Sequence, residues 1–185
     1  MSRAATVGRD ERARIFLALE LPDEVAAELA RWGERHLMGG RPVSAFHVTL
    51  AFLGARPRAE LEAILGALRE EAAASAPPTL EAVRYRETRS VGMLVLDDRG
   101  GDAGRLAERL HDRLERLDVY RRESRPWLPH VTVLRFREPP RLSPPLPEIG
   151  AFAPSAAAAF LSRLHPSGAR YEVLESCSLG EKTNV

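Results

Sequence analysis

Two three-residue strings hold the residue types best suited to chemistry: His47-Val48-Thr49 and His130-Val131-Thr132. Side chains alternate faces along a strand, so His47 and Thr49 point one way while Val48 and Leu50 point to the opposite, buried face. The second string repeats this, with His130 and Thr132 over Val131 and Val133. Two such strands side by side would bring two imidazoles and two hydroxyls around one small anion. With six threonines in 185 residues, a Thr two places after a given His has a chance of about 3%. Two such events among five histidines have a chance of roughly 1%, so the duplication is a signal where one copy would not be.

The chemistry these groups suit is displacement at a cyclic phosphodiester. Water must be activated on one side of the phosphorus, and the departing ribose oxygen must be protonated on the other. Imidazole titrates near neutrality, so one histidine can serve as base while its partner serves as acid, each role typically contributing about 10²- to 10⁴-fold. Threonine hydroxyls can donate to the nonbridging oxygens, where negative charge builds in the transition state. A bland alternative makes both histidines satisfied residues at strand starts and the threonines β-branched strand formers. A zinc site is a poorer fit: each string offers one ligand, and no acidic residue or cysteine adjoins either histidine. No metal and no cofactor are therefore expected.

Phe46 and Trp127, close to the two strings, could stack a nucleobase or could pack the core. The other histidines read as ordinary: His36 near a helix end, His111 within a leucine-rich helix and His165 in a turn.

The elements that must position the two strings are legible in outline. Arg14 to Leu21 is a short apolar run ending at Pro22, which predicts a buried strand. A helix follows, with Asp23 as its cap and Val25, Leu29 and Trp32 at helical spacing before Gly39-Gly40. His47 to Gly54 reads as a strand. From Ala59 to Ala74, apolar residues at 61, 64, 65 and 68 predict a helix that Pro77-Pro78 stops. Strands near Leu80 to Thr88 and Val91 to Asp97 should pair. Leu106, Leu110, Leu114 and Leu117 mark a further helix, capped by Asp102, and His130 to Phe136 is again strand-like. Glu138 to Pro147, with five prolines, should be an irregular connection. Ala157 to Leu164 and Ala169 to Ser176 predict a closing hairpin.

Each half thus offers a strand, a leucine-rich helix and a His-Val-Thr strand, the histidines lying 130 − 47 = 83 residues apart. The prediction is an α+β fold of two duplicated lobes about a pseudo-twofold axis, with the site between them. Residues 1–13 are expected to be a disordered tail and 14–185 a single bilobal domain. No run approaches the roughly 20 apolar residues that span a bilayer, so no membrane partner is expected. Cys177 is the sole cysteine, which rules out an intrachain disulfide and fits a reducing cytoplasm. The net charge of +1 is too small to imply a nonspecific polyanion binder, so any nucleic-acid contact should be local, and the arginines are scattered among acids.

The segments Phe46-His-Val-Thr-Leu-Ala-Phe-Leu-Gly54 and Pro129-His-Val-Thr-Val-Leu-Arg135 resemble the two-histidine phosphoesterases, specifically the bacterial RNA 2',3'-cyclic phosphodiesterases also called 2'-5' RNA ligases. The likeness extends to Arg14–Pro22 as an opening strand and Ser162–Leu174 as a closing hairpin. The resemblance implies a bilobal fold in which each lobe is an antiparallel sheet with helices on its outer side. It also implies metal-independent hydrolysis of RNA or nucleotide 2',3'-cyclic ends to 2'-phosphates, with 2'-5' ligation in some members. By matching position, His47 would be the acid, His130 the base, and Thr49 and Thr132 the phosphate holders. Arg135 matches a family arginine. It stands five residues beyond His130, on the wrong face of an ideal strand, so a bulge or strand end must intervene. The alternative function is a non-catalytic module that binds nucleotide phosphates or RNA ends, and a monomer without an obligate protein partner is expected.

Overall fold

A computed structural model describes residues 12–166 and 168–180. The strand β1 (Arg12–Glu20) takes in the last two residues of the expected tail; the disorder expected for residues 1–11 lies outside the described residues. The remaining elements are α1 (Asp23–His36), β2 (Arg41–Pro42), β3 (His47–Pro57), α2 (Leu61–Ala73), β4 (Thr79–Glu87), β5 (Val91–Arg99), α3 (Asp102–Arg116), β6 (His130–Arg135), β7 (Ala151–Phe152), β8 (Ala156–Arg163) and β9 (Arg170–Ser178). All three predicted helices and the two predicted hairpins are present. The very short β2 and β7 carry no sequence signal.

The strands form one antiparallel sheet in the order β7-β4-β5-β6-β3-β1-β8-β9, with β2 added on β6. Its centre is narrow: β3 and β6 pair at a single position, Val48 with Val131. On either side of that junction lies one half of the duplication, β1-α1-β3 on one flank and β5-α3-β6 on the other. The next long strand after each His strand crosses over, β4 pairing with β5 and β8 with β1. Each lobe is therefore completed by chain from the other half, which holds the two together more firmly than the lone β3–β6 contact could.

Helices α2 and α3 pack on each other, α2 against β8 and β9 and α3 against β3 and β5. The core includes Leu17, Leu50, Ile64, Leu68, Leu94, Leu106 and Leu110, each at most 1% exposed. Val48 and Val131 belong to this core, so the His–Thr faces of β3 and β6 point away from it. His111 is buried in α3, and its Nε2–H donates to the Leu50 carbonyl at 2.7 Å, tying the helix to the back of β3. The predicted caps differ. The α1 N-cap is Pro22, and neither Asp23 nor Asp102 caps its helix by side chain. Asp98 at the end of β5 serves α3 instead, its carboxylate accepting from the Ala103 and Gly104 amides at 3.2 and 2.7 Å. A carboxylate there meets both the orphan amides and the positive end of the helix dipole.

The proline-rich stretch is irregular, as predicted, but well held. The Trp32 indole donates to the Pro145 carbonyl, and the Glu87 carboxylate accepts from the Arg141 and Leu142 amides. Gly40 has a different use from a simple helix stop: a Cβ there would lie 2.6 Å from the Arg135 carbonyl, so only glycine lets β2 approach β6. No helix among the described residues is long and apolar enough to cross a membrane.

Candidate active site

The register at the junction decides how the two strings meet. Because Val48 lies opposite Val131, the same antiparallel register sets His47 across from Thr132 and Thr49 across from His130, all four on the face turned from the core. Each histidine thus faces the other strand's threonine.

Both imidazoles are held in the same way. The His47 Nδ1–H donates to the Ala45 carbonyl at 3.0 Å, and the His130 Nδ1–H donates to the Leu128 carbonyl at 2.8 Å. A carbonyl can only accept, so each bond places the hydrogen on Nδ1 and leaves Nε2 to act as base when neutral or as acid when protonated. The repetition of this i−2 anchor in both lobes extends the duplication from sequence to hydrogen bonding. No feature of residue type at positions 45 or 128 announces it, because the acceptor is backbone.

A bulge recurs as well. Against β5, Gly92 pairs with Leu134 and Met93 with Thr132, which leaves Val133 as an extra residue in β6. Against β1, Leu17 pairs with Ala51 and Ala18 with Thr49, which leaves Leu50 extra in β3. Each bulge falls three residues after its histidine and reverses the alternation beyond it: Val133 and Leu134 are both buried before exposed Arg135, and Leu50 and Ala51 before exposed Phe52. This is the irregularity Arg135 requires to reach the His–Thr face. Phe52 is its counterpart in the other lobe.

A cavity of about 440 Å³ opens on this face, lined by His47, Thr49, Thr132, Arg135 and Phe52 and walled by the β8–β9 hairpin. Sequence reasoning missed several of its residues. Arg14 lines it with its guanidinium 4.9 Å from the Phe52 ring centre, and Arg41 lines it from β2, where it pairs with Arg135 in register. Around His47 the Phe16, Phe160 and Tyr171 rings lie 4.8, 6.0 and 5.5 Å away. The alternation Arg12, Arg14, Phe16 was the available signal, since it puts those residues on one face of β1. His130 is not among the residues lining that volume. It stands beyond Thr49, near enough for its charge to act on His47.

Phe46 and Trp127, the two candidates for base stacking, are not among the residues lining the cavity. Both are half-buried and packed against the core, and the Trp127 indole N–H donates to the Thr49 carbonyl at 3.0 Å. Trp127 thereby braces the strand that carries His47. His165, expected in a turn, lines the cavity from the hairpin tip.

Desolvation by the aromatic wall pushes the His47 pKa down to about 4; the Ala45 carbonyl opposes this, while the positive charges of Arg135 and His130 add to it. His47 is therefore neutral at pH 7. The linked stability effect has a definite sign. Between pH 6.5 and 4 the unfolded chain binds a proton at His47 that the folded chain refuses, so stability falls as pH drops through that window. The full shift corresponds to about 3 kcal/mol. Lowering the pH from 7 to 4 should therefore lower the melting temperature of wild type more than that of His47→Gln; parallel curves would place the imidazole in water instead.

The profile of the 2'-5' RNA ligase superfamily matches residues 21–164. The chain belongs to that superfamily. A relative named RNA 2',3'-cyclic phosphodiesterase in Thermus thermophilus is 34% identical across 90% of each chain. One of the same name in Escherichia coli is 32% identical over 68% of this chain and 73% of that protein. The crystal structure of the Thermus thermophilus protein TT0787 superposes with a TM-score of 0.76 at 30% identity, covering 91% of this chain and 99% of that one. The bilobal α+β fold expected of this superfamily is the one described above. Among the described residues, no group of three or more His, Cys, Asp or Glu is arranged to hold a metal ion.

Proposed function

We propose that the protein hydrolyses RNA or nucleotide 2',3'-cyclic phosphate ends to 2'-phosphomonoesters, with His47 and His130 as the acid–base pair and no metal. The observation that carries this reading is the matched anchoring of the two imidazoles. Each is fixed by Nδ1 to a carbonyl two residues back, so both Nε2 atoms are free for proton transfer on either side of the Val48–Val131 junction. The family membership and the relatives' names agree with it.

In the step proposed, a water oxygen bonds to phosphorus as its proton passes to His130, and the phosphorus–O3' bond breaks as His47 protonates O3'. The products are a 2'-phosphate and a 3'-hydroxyl. With a 5'-hydroxyl in place of water, the same displacement gives a 2'-5' linkage. These acid and base roles come from the resemblance, and the His47 environment adds a condition to them. Since desolvation, and after it the charges of Arg135 and His130, disfavour protonation of His47, the acid role requires the negative charge of bound substrate to favour the imidazolium. Thr49 and Thr132 donate to the nonbridging oxygens, and Arg135 neutralises the charge that builds there. The protein acts as a monomer, both histidines coming from one chain, and its buried free thiol Cys177 suits a reducing cytoplasm.

The test is to incubate purified protein, in excess EDTA, with an oligoribonucleotide ending in a 2',3'-cyclic phosphate and to resolve the terminal phosphate by chromatography. Conversion to the 2'-phosphate is expected. A well-folded sample that binds the cyclic end without converting it would leave a binding module, and conversion only after a divalent metal is restored would overturn the metal-free mechanism.

A further inference from the structure

We infer that a second, arginine-lined groove beside the cleft binds the phosphates of RNA upstream of the cyclic end, so that the protein prefers a polynucleotide end to a free cyclic nucleotide. This rests on the function proposed above and names the substrate class that function would select.

The groove, about 380 Å³, is lined by Arg12, Arg14, Arg58 and Arg163 and shares Arg14, Ser162 and Leu164 with the cleft. It is thus continuous with the cleft rather than a separate surface hollow. Among the described residues, no Asp or Glu lines either cavity. In a chain whose charges nearly cancel, six arginines along one path, with Arg41 and Arg135 completing the set, make a local positive field suited to a polyanion.

The geometry of β1 gives the path a direction. Phe16 touches His47, and Arg14 and then Arg12 follow on the same face, each two residues further out. Two residues of strand advance about 6.7 Å, comparable to the separation of successive phosphates in an unstacked single strand. Backbone and side-chain contacts already orient two of these groups. Arg12 donates to the Ala55 carbonyl at 3.1 Å, and Arg163 pairs with Glu172 at 3.3 Å. The Arg163 and Glu172 side chains are 64% and 59% exposed, and an ion pair that wet is weak enough to yield to a phosphate.

The experiment compares kcat/KM for a mononucleoside 2',3'-cyclic phosphate and for an octanucleotide ending in the same group, across a salt series. In wild type the octanucleotide should be favoured tenfold or more at low salt. The triple variant R12Q/R58Q/R163Q should lose that advantage while hydrolysing the mononucleotide as before. Its log–log salt slope for the octanucleotide should flatten by about 2, from three contacts at roughly 0.7 each. The single variant Arg163→Glu, at an exposed position, guards against misfolding and should lose part of the same advantage. Equal kcat/KM for the two substrates in wild type, or octanucleotide kinetics unchanged in both variants, would overturn the groove and leave the hydrolysis intact. If neither substrate is turned over, the proposed function fails instead. Anisotropy binding of a 2'-phosphate-ended octanucleotide then reads the groove alone: weaker binding in the variants supports it, and unchanged binding overturns it.

Discussion

Alanine at His47 or at His130 is expected to lower kcat on a 2',3'-cyclic end by about 10²- to 10⁴-fold, the range for loss of a positioned proton donor or acceptor. The two substitutions act on one concerted displacement, so the double variant should fall little below the poorer single one. Structure separates their side effects. His47 is enclosed by Phe16, Phe160 and Tyr171, and truncation leaves a void among three rings, whereas His47→Gln fills much of it without titrating near neutrality. His47→Gln should therefore be as inactive as His47→Ala with a melting temperature nearer to wild type. Single-turnover rates with circular dichroism on the same samples check this, and activity within threefold of wild type in either alanine variant would remove that residue from the mechanism.

The second large effect concerns Arg135. Its placement on the His–Thr face depends on the Val133 bulge, and a guanidinium there can meet the phosphate and also acts on His47. Arg135→Ala should cost about 10²-fold in kcat/KM, in line with loss of one charge-stabilising donor. Arg135→Lys should recover only part of it, since an ammonium keeps the charge but not the two-point geometry. The same alanine variant has a readout that a purely structural role would not move. With one nearby positive charge gone, the His47 pKa must rise from about 4 toward 6.5. Imidazole resonances followed by NMR titration measure this directly. An unmoved His47 midpoint would show the guanidinium turned away from the cleft.

The elements around the site were legible in sequence because their signals are local. Apolar spacing in α2 and α3, alternation in β3 and β6 and the Pro–Gly turn before β9 each depend on neighbours within a few residues. The caps were misread for the same reason. Asp23 and Asp102 sit at the right positions in the chain, but the carboxylate that reaches the α3 amides is Asp98, brought there by the end of β5. Sequence shows Trp127 close to the second string, but only the assembled sheet brings its indole N–H to the Thr49 carbonyl.

What the sequence determined by itself is the identity of the groups proposed to react and their duplication. Two His-x-Thr strings with apolar backing already specify two imidazoles and two hydroxyls on the polar faces of two strands, because side-chain direction along a strand follows from covalent geometry. What the tertiary structure decided is how those groups are tuned. The single Val48–Val131 pair sets each histidine opposite the other threonine, the bulges at Leu50 and Val133 turn Phe52 and Arg135 into the cleft, and an aromatic wall from three strands lowers the His47 pKa. The arginines likewise look scattered along the chain and become a connected path only once β1, β3 and β8 lie side by side. Register, strand parity and desolvation depend on residues far apart in the chain, and so they are properties of the assembled sheet.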